Sequence, residues 1–543
     1  MPRLKAGLRG AALRFNGVRG FLLLLAAYGL WLALTQGAWL ASGAVWAEGA
    51  TNYWVAAHAA DWSQRLFATD AGYIPLTQRL LALPGGWMPA AWWPWWLSAV
   101  GIVGGCALAA GITARRFRAL VPSDGVRWLA ALVALLVLDF ETTNFINVIY
   151  LAVLPMAAVA ALGLARPGAA PGRGGWLLPV LCLTKPGVLT VLPPLVLAAW
   201  RGGRRMRLVV LTCAVVAGVQ LARIALSHGA GAMPQHMVFS LPARGVGAGV
   251  LSLGFLTAAV VPGGALLPPM AKVVAGAMLV LWIARRARLG EASERALILC
   301  GALVLAGNFA LLALTLGDDW LGQPRLAGLF LIRQNLPAFL GAELIVLGLA
   351  GGMGARGPAA FAVWAAAIVA VVISPLRHDS NIAPDIHDAY LAPVSQWGPL
   401  ADEIDARVHP LCVPIDPAGW VLGYGCRSLT PGFGPGLRAR FAGPPLTQVL
   451  LPEPPLAGRQ LVSLAVIARP LAAPVQVIAH LHLRNGGVVA GAPVAALPAR
   501  GGLLLFPLRA PIADIAAVDV RFSAPVQLAR DAAGTVVAGW FGD

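Results

Sequence analysis

The feature that most constrains this chain is its repeated apolar runs, the first of which, Gly20 to Gly43, carries no charged residue. About 20 apolar residues make a helix just long enough to cross the hydrocarbon core of a bilayer. The chain therefore reads as a polytopic α-helical membrane protein. Composition agrees, with 59% of residues hydrophobic and 12% charged, against about a quarter charged in soluble domains. The first run follows a basic tail containing Arg3, Lys5, Arg9, Arg14 and Arg19. A cleaved signal peptide has an apolar core of only about 7–15 residues. The run is longer, which makes it a retained first helix with its N-terminus in the cytoplasm.

The net charge of +17 raises the question of nucleic-acid binding. Its distribution argues against that. From Arg377 to Asp543 twelve Arg balance twelve Asp plus Glu. The excess sits earlier, in short loops: Arg115, Arg116 and Arg118; Arg201, Arg204, Arg205 and Arg207; Arg285, Arg286 and Arg288. Cations confined to short loops between apolar runs follow the positive-inside rule and mark the cytoplasmic side.

Those loops pin the threading. The first helix runs outward, and the polar stretch Ala44 to Ala90 lies outside. Ala91 to Ile112 returns, Trp128 to Leu138 exits, and Val148 to Leu164 returns. The block Trp176 to Trp200 contains LTKPG, and Pro and Gly break helices. As one span it would put RGGRRMR outside, so it reads as two short helices that dip in and return, with Lys185 at the break. Such breaks are tolerated where the freed backbone is buried or lines a wet cavity. Leu208 to Leu226 exits, and Ser227 to about Pro269 is an outer loop with an interfacial apolar stretch. Met270 to Ala284, Ala296 to Leu316, Asn335 to Gly351 and Pro358 to Ile373 complete about eleven spans and leave the tail outside.

Two domains are expected, a transmembrane one over 1–376 and a mostly-β periplasmic one over 377–543. The tail carries strand-like runs, LVSLAVIA, VQVIAHLHL, GLLLFPL and VDVRFS. Pro, Gly and an Asn-Gly turn at Arg484 to Gly487 separate them. Cys106, Cys182, Cys213 and Cys300 fall in apolar segments as core residues. Cys412 and Cys426 lie in the tail, where they are candidates for a periplasmic disulfide or two free thiols.

Charges at a membrane edge are functional hypotheses by default. The first concentration is TDAGYIPLTQR, Thr69 to Arg79. Asp70 there can act as a general base toward a sugar hydroxyl, coordinate a divalent cation, or simply cap the short helix that follows. Tyr73 and Arg79 are candidate substrate contacts beside it, and Asp61 is a second candidate acid. The next concentration is DFETTNFINVIY, where Glu141, Asn144 and Asn147 can bind sugar hydroxyls or cap the helix. Lys185, Arg244 and Arg333 can hold a lipid phosphate, with snorkelling to headgroups as the alternative. The run WMPAAWWPWW reads as an interfacial aromatic belt.

Three stretches, DAGYIPLTQRLLA, ETTNFINVIYLAV and LTKPGVLTVLPPLVL, together resemble landmarks of the GT-C superfamily of integral-membrane glycosyltransferases, over roughly the first 340 residues. The resemblance implies a GT-C-like fold, a polyprenyl-phosphate-linked sugar donor, an envelope glycan or lipid acceptor, and often a divalent metal such as Mg or Mn. It makes Asp70 the catalytic or metal-adjacent acid. The chain departs from the common pattern in lacking a tight pair of acids in its first outer loop, and Lys185 stands where a small residue is expected. The expectation is a bacterial inner-membrane glycosyltransferase working on the periplasmic side. Its rivals are a lipid-glycan transporter or flippase and a non-catalytic envelope scaffold. Transporters often show internal repeats and charges buried in mid-span, whereas the polar residues singled out above crowd one membrane face.

Overall fold

The computed structural model describes residues 17–70, 72–138, 144–169, 171–228, 240–315 and 334–373. Within the tail it describes residues 395, 397–398, 401–407, 411–415, 420–424, 437–439, 447–452, 460–468, 475–490, 494–496, 502–511, 514–524 and 538–542. The chain divides into two compact units. One comprises Met1–Leu32, Asp61–Leu81 and Ala99–Ser380, the other Ala33–Ala60, Ala82–Ser98 and Asn381–Asp543.

The principal helices are α1 (Gly17–Ser42), α2 (Trp93–Ala110), α3 (Asp124–Leu136), α4 (Val153–Ala165), α5 (Leu192–Arg201), α6 (Arg204–His228), α7 (Leu241–Val260), α8 (Pro269–Leu289), α9 (Ala292–Thr315), α10 (Leu336–Gly351) and α11 (Gly357–Ile373). Against the expected eleven or so spans, seven helices among the described residues are long and apolar enough to cross a membrane. They lie at Gly17–Gly37, Ala90–Ala119, Val148–Ala165, Arg204–Leu226, Leu241–Val260, Ala292–Thr315 and Gly354–Val372. Pro186–Arg201 and Leu336–Gly351 are shorter apolar helices.

In the first unit α9 and α10 form a tight antiparallel pair. A methyl group on Gly301 would fall 2.3 Å from the Gly341 carbonyl oxygen, and one on Gly341 would fall 2.6 Å from that of Gly301. Only hydrogen at both positions lets the backbones approach so closely, the small-residue packing typical of membrane helices. The pair is closed at one end by Gly348 against the Glu294 carbonyl and at the other by Asn308 Nδ2, which donates to the Gln334 carbonyl at 3.0 Å. Nearly every side chain of α4 is buried, as expected for an all-apolar helix at the centre of a bundle.

LTKPG does break its helix. Leu178–Cys182 is helical, the chain turns through Leu183 and Lys185, and a 3-10 segment Pro186–Val191 leads into α5. Gly187 then sits beside Tyr150 and Gly163 beside Ala198. Thus α5 runs alongside α4 in the same direction. Met206, at the start of α6, also meets Gly163.

These contacts sort the unit into two ends. Gly163, Ala198 and Met206 share one end, where the RGGRRMR loop lies. Glu294 pairs there with Arg286 of the second cationic loop at 3.0 Å. Gly187, Tyr150, Asn308 and Gln334 mark the opposite end, because Gly307 faces Thr190.

The expected outer loop over Ser227 to Pro269 contains a complete helix, α7. Arg244 Nε donates to the Ala313 carbonyl at 2.8 Å, and Phe255 meets Phe309 with ring centroids 5.6 Å apart. These two contacts seat α7 against the Ala313 end of α9.

In the second unit a six-residue π-helix, Gly49–Trp54, sets Trp54 against Trp93 and edge-on to Trp397, at 5.4 and 5.3 Å. Trp93 Nε1 donates to Gly49 O at 3.0 Å and Trp397 Nε1 to Ala90 O at 2.7 Å. The Trp-rich run is thereby split. Trp87, Trp92 and Trp95 face outward, whereas Trp93 is a core residue. The described tail strands are β1 (Leu411–Ile415), β2 (Trp420–Tyr424), β3 (Leu437–Ala439), β4 (Thr447–Pro452), β5 (Gln460–Ala468), β6 (Val475–Leu483), β7 (Val488–Ala490), β8 (Val494–Ala496), β9 (Gly502–Pro511), β10 (Ile515–Phe522) and β11 (Ala538–Gly542). One antiparallel sheet has the order β3-β4-β10-β6-β7, with β8 also on β6; a second has β11-β5-β9; β1 pairs β2. The β6–β7 turn uses Gly486 at φ +84°, a conformation glycine adopts without strain.

Candidate functional site

The stretch from Asp70 to Gln78 is where three separate segments meet. Asp70 N–H donates to Tyr73 O at 2.8 Å and Tyr73 N–H to Asp70 O at 3.0 Å. This reciprocal pair closes a tight turn, and Gly72, at φ +87°, supplies the left-handed residue that the turn needs. The turn folds the Tyr73 ring back so that its hydroxyl donates to Asp70 Oδ2 at 2.9 Å. Both residues are buried. Lys185, also buried, places its Nζ 5.2 Å from the Tyr73 ring centroid, within range of a cation–π contact. Acid, phenol and ammonium thus form one enclosed cluster.

Neighbouring side chains fasten it. Gln78 Nε2 donates to Ile146 O at 3.2 Å, joining this stretch to FINVIY. Thr77 N–H and Oγ1 donate to Leu183 O and Val180 O at 3.4 and 3.2 Å, joining it to LTKPG. Gln220, fully buried on α6, is the central clamp. Its Oε1 accepts from Ile74 N–H at 2.9 Å, and its Nε2 donates to Ile74 O at 3.2 Å and to Thr184 O at 2.7 Å. Gln220 was invisible in sequence because it is a single amide in a mostly apolar span that also carries Arg223. A polar side chain inside a membrane helix is the signal that could have found it.

The remaining candidates separate. Arg79 is buried, and its Nη2 donates to Ala68 O at 3.2 Å, under the start of the Asp70 turn. Asn144 accepts from the N–H groups of Ile146 and Asn147 at 3.0 and 3.2 Å, which makes it a local turn cap. Asn147 is buried just before the 3-10 segment Val148–Ala152. Asp61 is exposed and caps Trp62–Phe67, accepting from Ser63 N–H at 3.0 Å and from the Ser63 hydroxyl. Those hydrogen bonds, the side-chain one first, hold its carboxyl below the usual carboxylate range. Arg244 is a tie between α7 and α9. Glu141, Arg333 and Cys426 lie outside the described residues, and with Cys426 so does the proposed Cys412–Cys426 bridge.

One acid escaped notice in the sequence. Glu343 lies at the middle of α10, fully buried. The polar residues of the bundle are therefore not confined to one membrane face.

Among the described residues no three His, Cys, Asp or Glu side chains gather to hold a metal ion. Mg is commonly held by one or two carboxylates completed by water and substrate phosphate oxygens, and Asp70 supplies one carboxylate to the described cluster. No protein-family model, curated protein or solved structure matches this chain.

Proposed function

We propose that the protein is a bacterial inner-membrane glycosyltransferase of the GT-C type. It moves a sugar from a polyprenyl-phosphate donor to an envelope glycan or lipid acceptor on the periplasmic side. The observation that carries this reading is the enclosed Asp70–Tyr73–Lys185 cluster, at the end of the bundle away from RGGRRMR and Arg286. By the positive-inside rule that end is periplasmic. The strands of 377–543 then belong to a β-rich periplasmic domain.

In this reading Asp70 accepts the proton of the acceptor hydroxyl as that oxygen attacks the anomeric carbon. The bond from that carbon to the carrier phosphate breaks, and its electrons leave with the phosphate. Tyr73 fixes the carboxylate through its 2.9 Å hydrogen bond. Lys185 offsets the negative charge of the departing phosphate.

The test is glycan transfer in membranes with Asp70→Asn. Removal of a general base lowers the rate by about 10²–10⁴-fold. Full transfer by a normally inserted Asp70→Asn protein would sink the base role. A second reading, a proton-driven lipid-glycan transporter, is favoured by Glu343, a carboxyl at mid-span of the kind such proteins use. It predicts substrate movement without sugar transfer and indifference to Asp70→Asn.

A further inference from the structure

Glu343 is 0% exposed, and neither side-chain oxygen has a hydrogen-bond partner among the described residues. Neighbouring contacts fix the direction of its side chain. Gly341 and Gly348 meet α9, at Gly301 and Ile298. Phe339, one helical turn before Glu343, stacks on Trp364 of α11 with ring centroids 6.2 Å apart. Residues four apart share a helix face, so Glu343 points with Phe339 toward α11 and away from α9.

Among the described residues no base is placed on that face. α11 (GPAAFAVWAAAIVAVVI) and α4 (VLPMAAVAALGLA) carry no titratable residue. The Pro186–Val191 turn carries none, Lys185 just before it sits with its Nζ 5.2 Å from the Tyr73 ring centroid, and Val148–Ala152 carries only Tyr150. α7 offers Arg244, engaged with Ala313 O at 2.8 Å. α9 offers Glu294, paired with Arg286 at 3.0 Å, together with exposed Arg295 and buried Cys300. Arg356, in the Gly354–Arg356 turn, is exposed.

An isolated carboxylate in such surroundings is so unfavourable that the group takes up a proton instead. A leucine would fill the same space without stranding a polar group, so the acid is there for its proton. We propose that Glu343 is an internal proton-binding site of the helical bundle. It is a neutral carboxylic acid in the packed state, and its proton exchanges when α10 and α11 part. This assignment is independent of sugar transfer at Asp70.

Two measurements on the full chain in lipid vesicles test it. The first is infrared difference spectroscopy of wild type against Glu343→Gln at neutral and mildly alkaline pH. A carbonyl band of a neutral, weakly hydrogen-bonded carboxylic acid is expected at both, absent from the variant. Wild-type protein grown on heavy-carbon glutamate shifts the same band, so the test survives a variant that folds poorly. The second uses dicyclohexylcarbodiimide, which is lipid-soluble. The carboxyl proton passes to one reagent nitrogen while a carboxyl oxygen bonds the central carbon. Acyl transfer to nitrogen then leaves a stable adduct with no leaving group. Mass spectrometry should find the adduct on Glu343 and background levels in Glu343→Gln. Loss of the neutral-acid band at neutral pH would overturn the protonation, and absence of adduct after prolonged exposure would overturn the exchange.

Discussion

Replacing Gln220 with leucine tests whether the candidate site is held by one side chain. Leucine keeps most of the volume and removes the amide. Three hydrogen bonds disappear: Ile74 N–H to Oε1, and Nε2 to the carbonyls of Ile74 and Thr184. At about 1 kcal/mol net each, the loss is about 3 kcal/mol, and more where the stranded groups stay dry. It falls locally, because the partners belong to the Asp70 turn and to the LTKPG break. The assay is amide hydrogen exchange of the full chain in detergent, read by mass spectrometry. With a tenfold change for every ~1.4 kcal/mol, exchange at Ile74 should accelerate by about 100-fold, while peptides within α9 and α10 keep their wild-type rates. Unchanged protection at Ile74 would refute the clamp. Equal acceleration everywhere would refute its local character and make Gln220 an ordinary core residue.

Other outcomes follow from single contacts. Gly341→Ala drives a methyl to 2.6 Å from the Gly301 carbonyl oxygen and should destabilise by about 1–3 kcal/mol through overpacking. Gly218→Ala on α6 meets nothing within 4 Å and should stabilise by about 0.5–1 kcal/mol; thermal unfolding in detergent reads both signs. Asp61→Asn should flatten the acid-side pH dependence of the Trp62–Phe67 segment. The wild-type carboxyl is held below its ordinary range, so its contribution is present above the unfolded value and fades as pH falls through the folded one. Limited proteolysis of that segment across an acid series reads the difference.

Much of the helical part was legible because membranes leave few options. The break at LTKPG follows from Pro186 and Gly187, and the cationic ends of α5 and α8 from the loops that flank them. The tight Asp70 turn is likewise implied by Gly72. The α7 segment was harder, since an apolar stretch between polar ones serves equally as an interfacial strip or a crossing helix, and only contacts with α9 distinguish them. Among the site candidates, Asp70, Tyr73 and Lys185 converge, whereas Asp61 and Asn144 cap local turns. Both roles use the same residue types at the same kind of loop, so spacing alone does not separate them.

By itself the sequence determined that this chain lives in a bilayer, roughly where it crosses, and which loops carry the cations. Those properties depend on hydropathy and charge summed along the chain. Only the tertiary structure decided that Gln220 ties Ile74 to Thr184, that Trp93 is core while Trp92 is surface, and that Glu343 is enclosed with no hydrogen-bond partner among the described residues. The physical reason is range. Insertion into the membrane is scored over about 20 consecutive residues, but the Gln220 bonds reach partners 36 and 146 positions away, which no local pattern encodes.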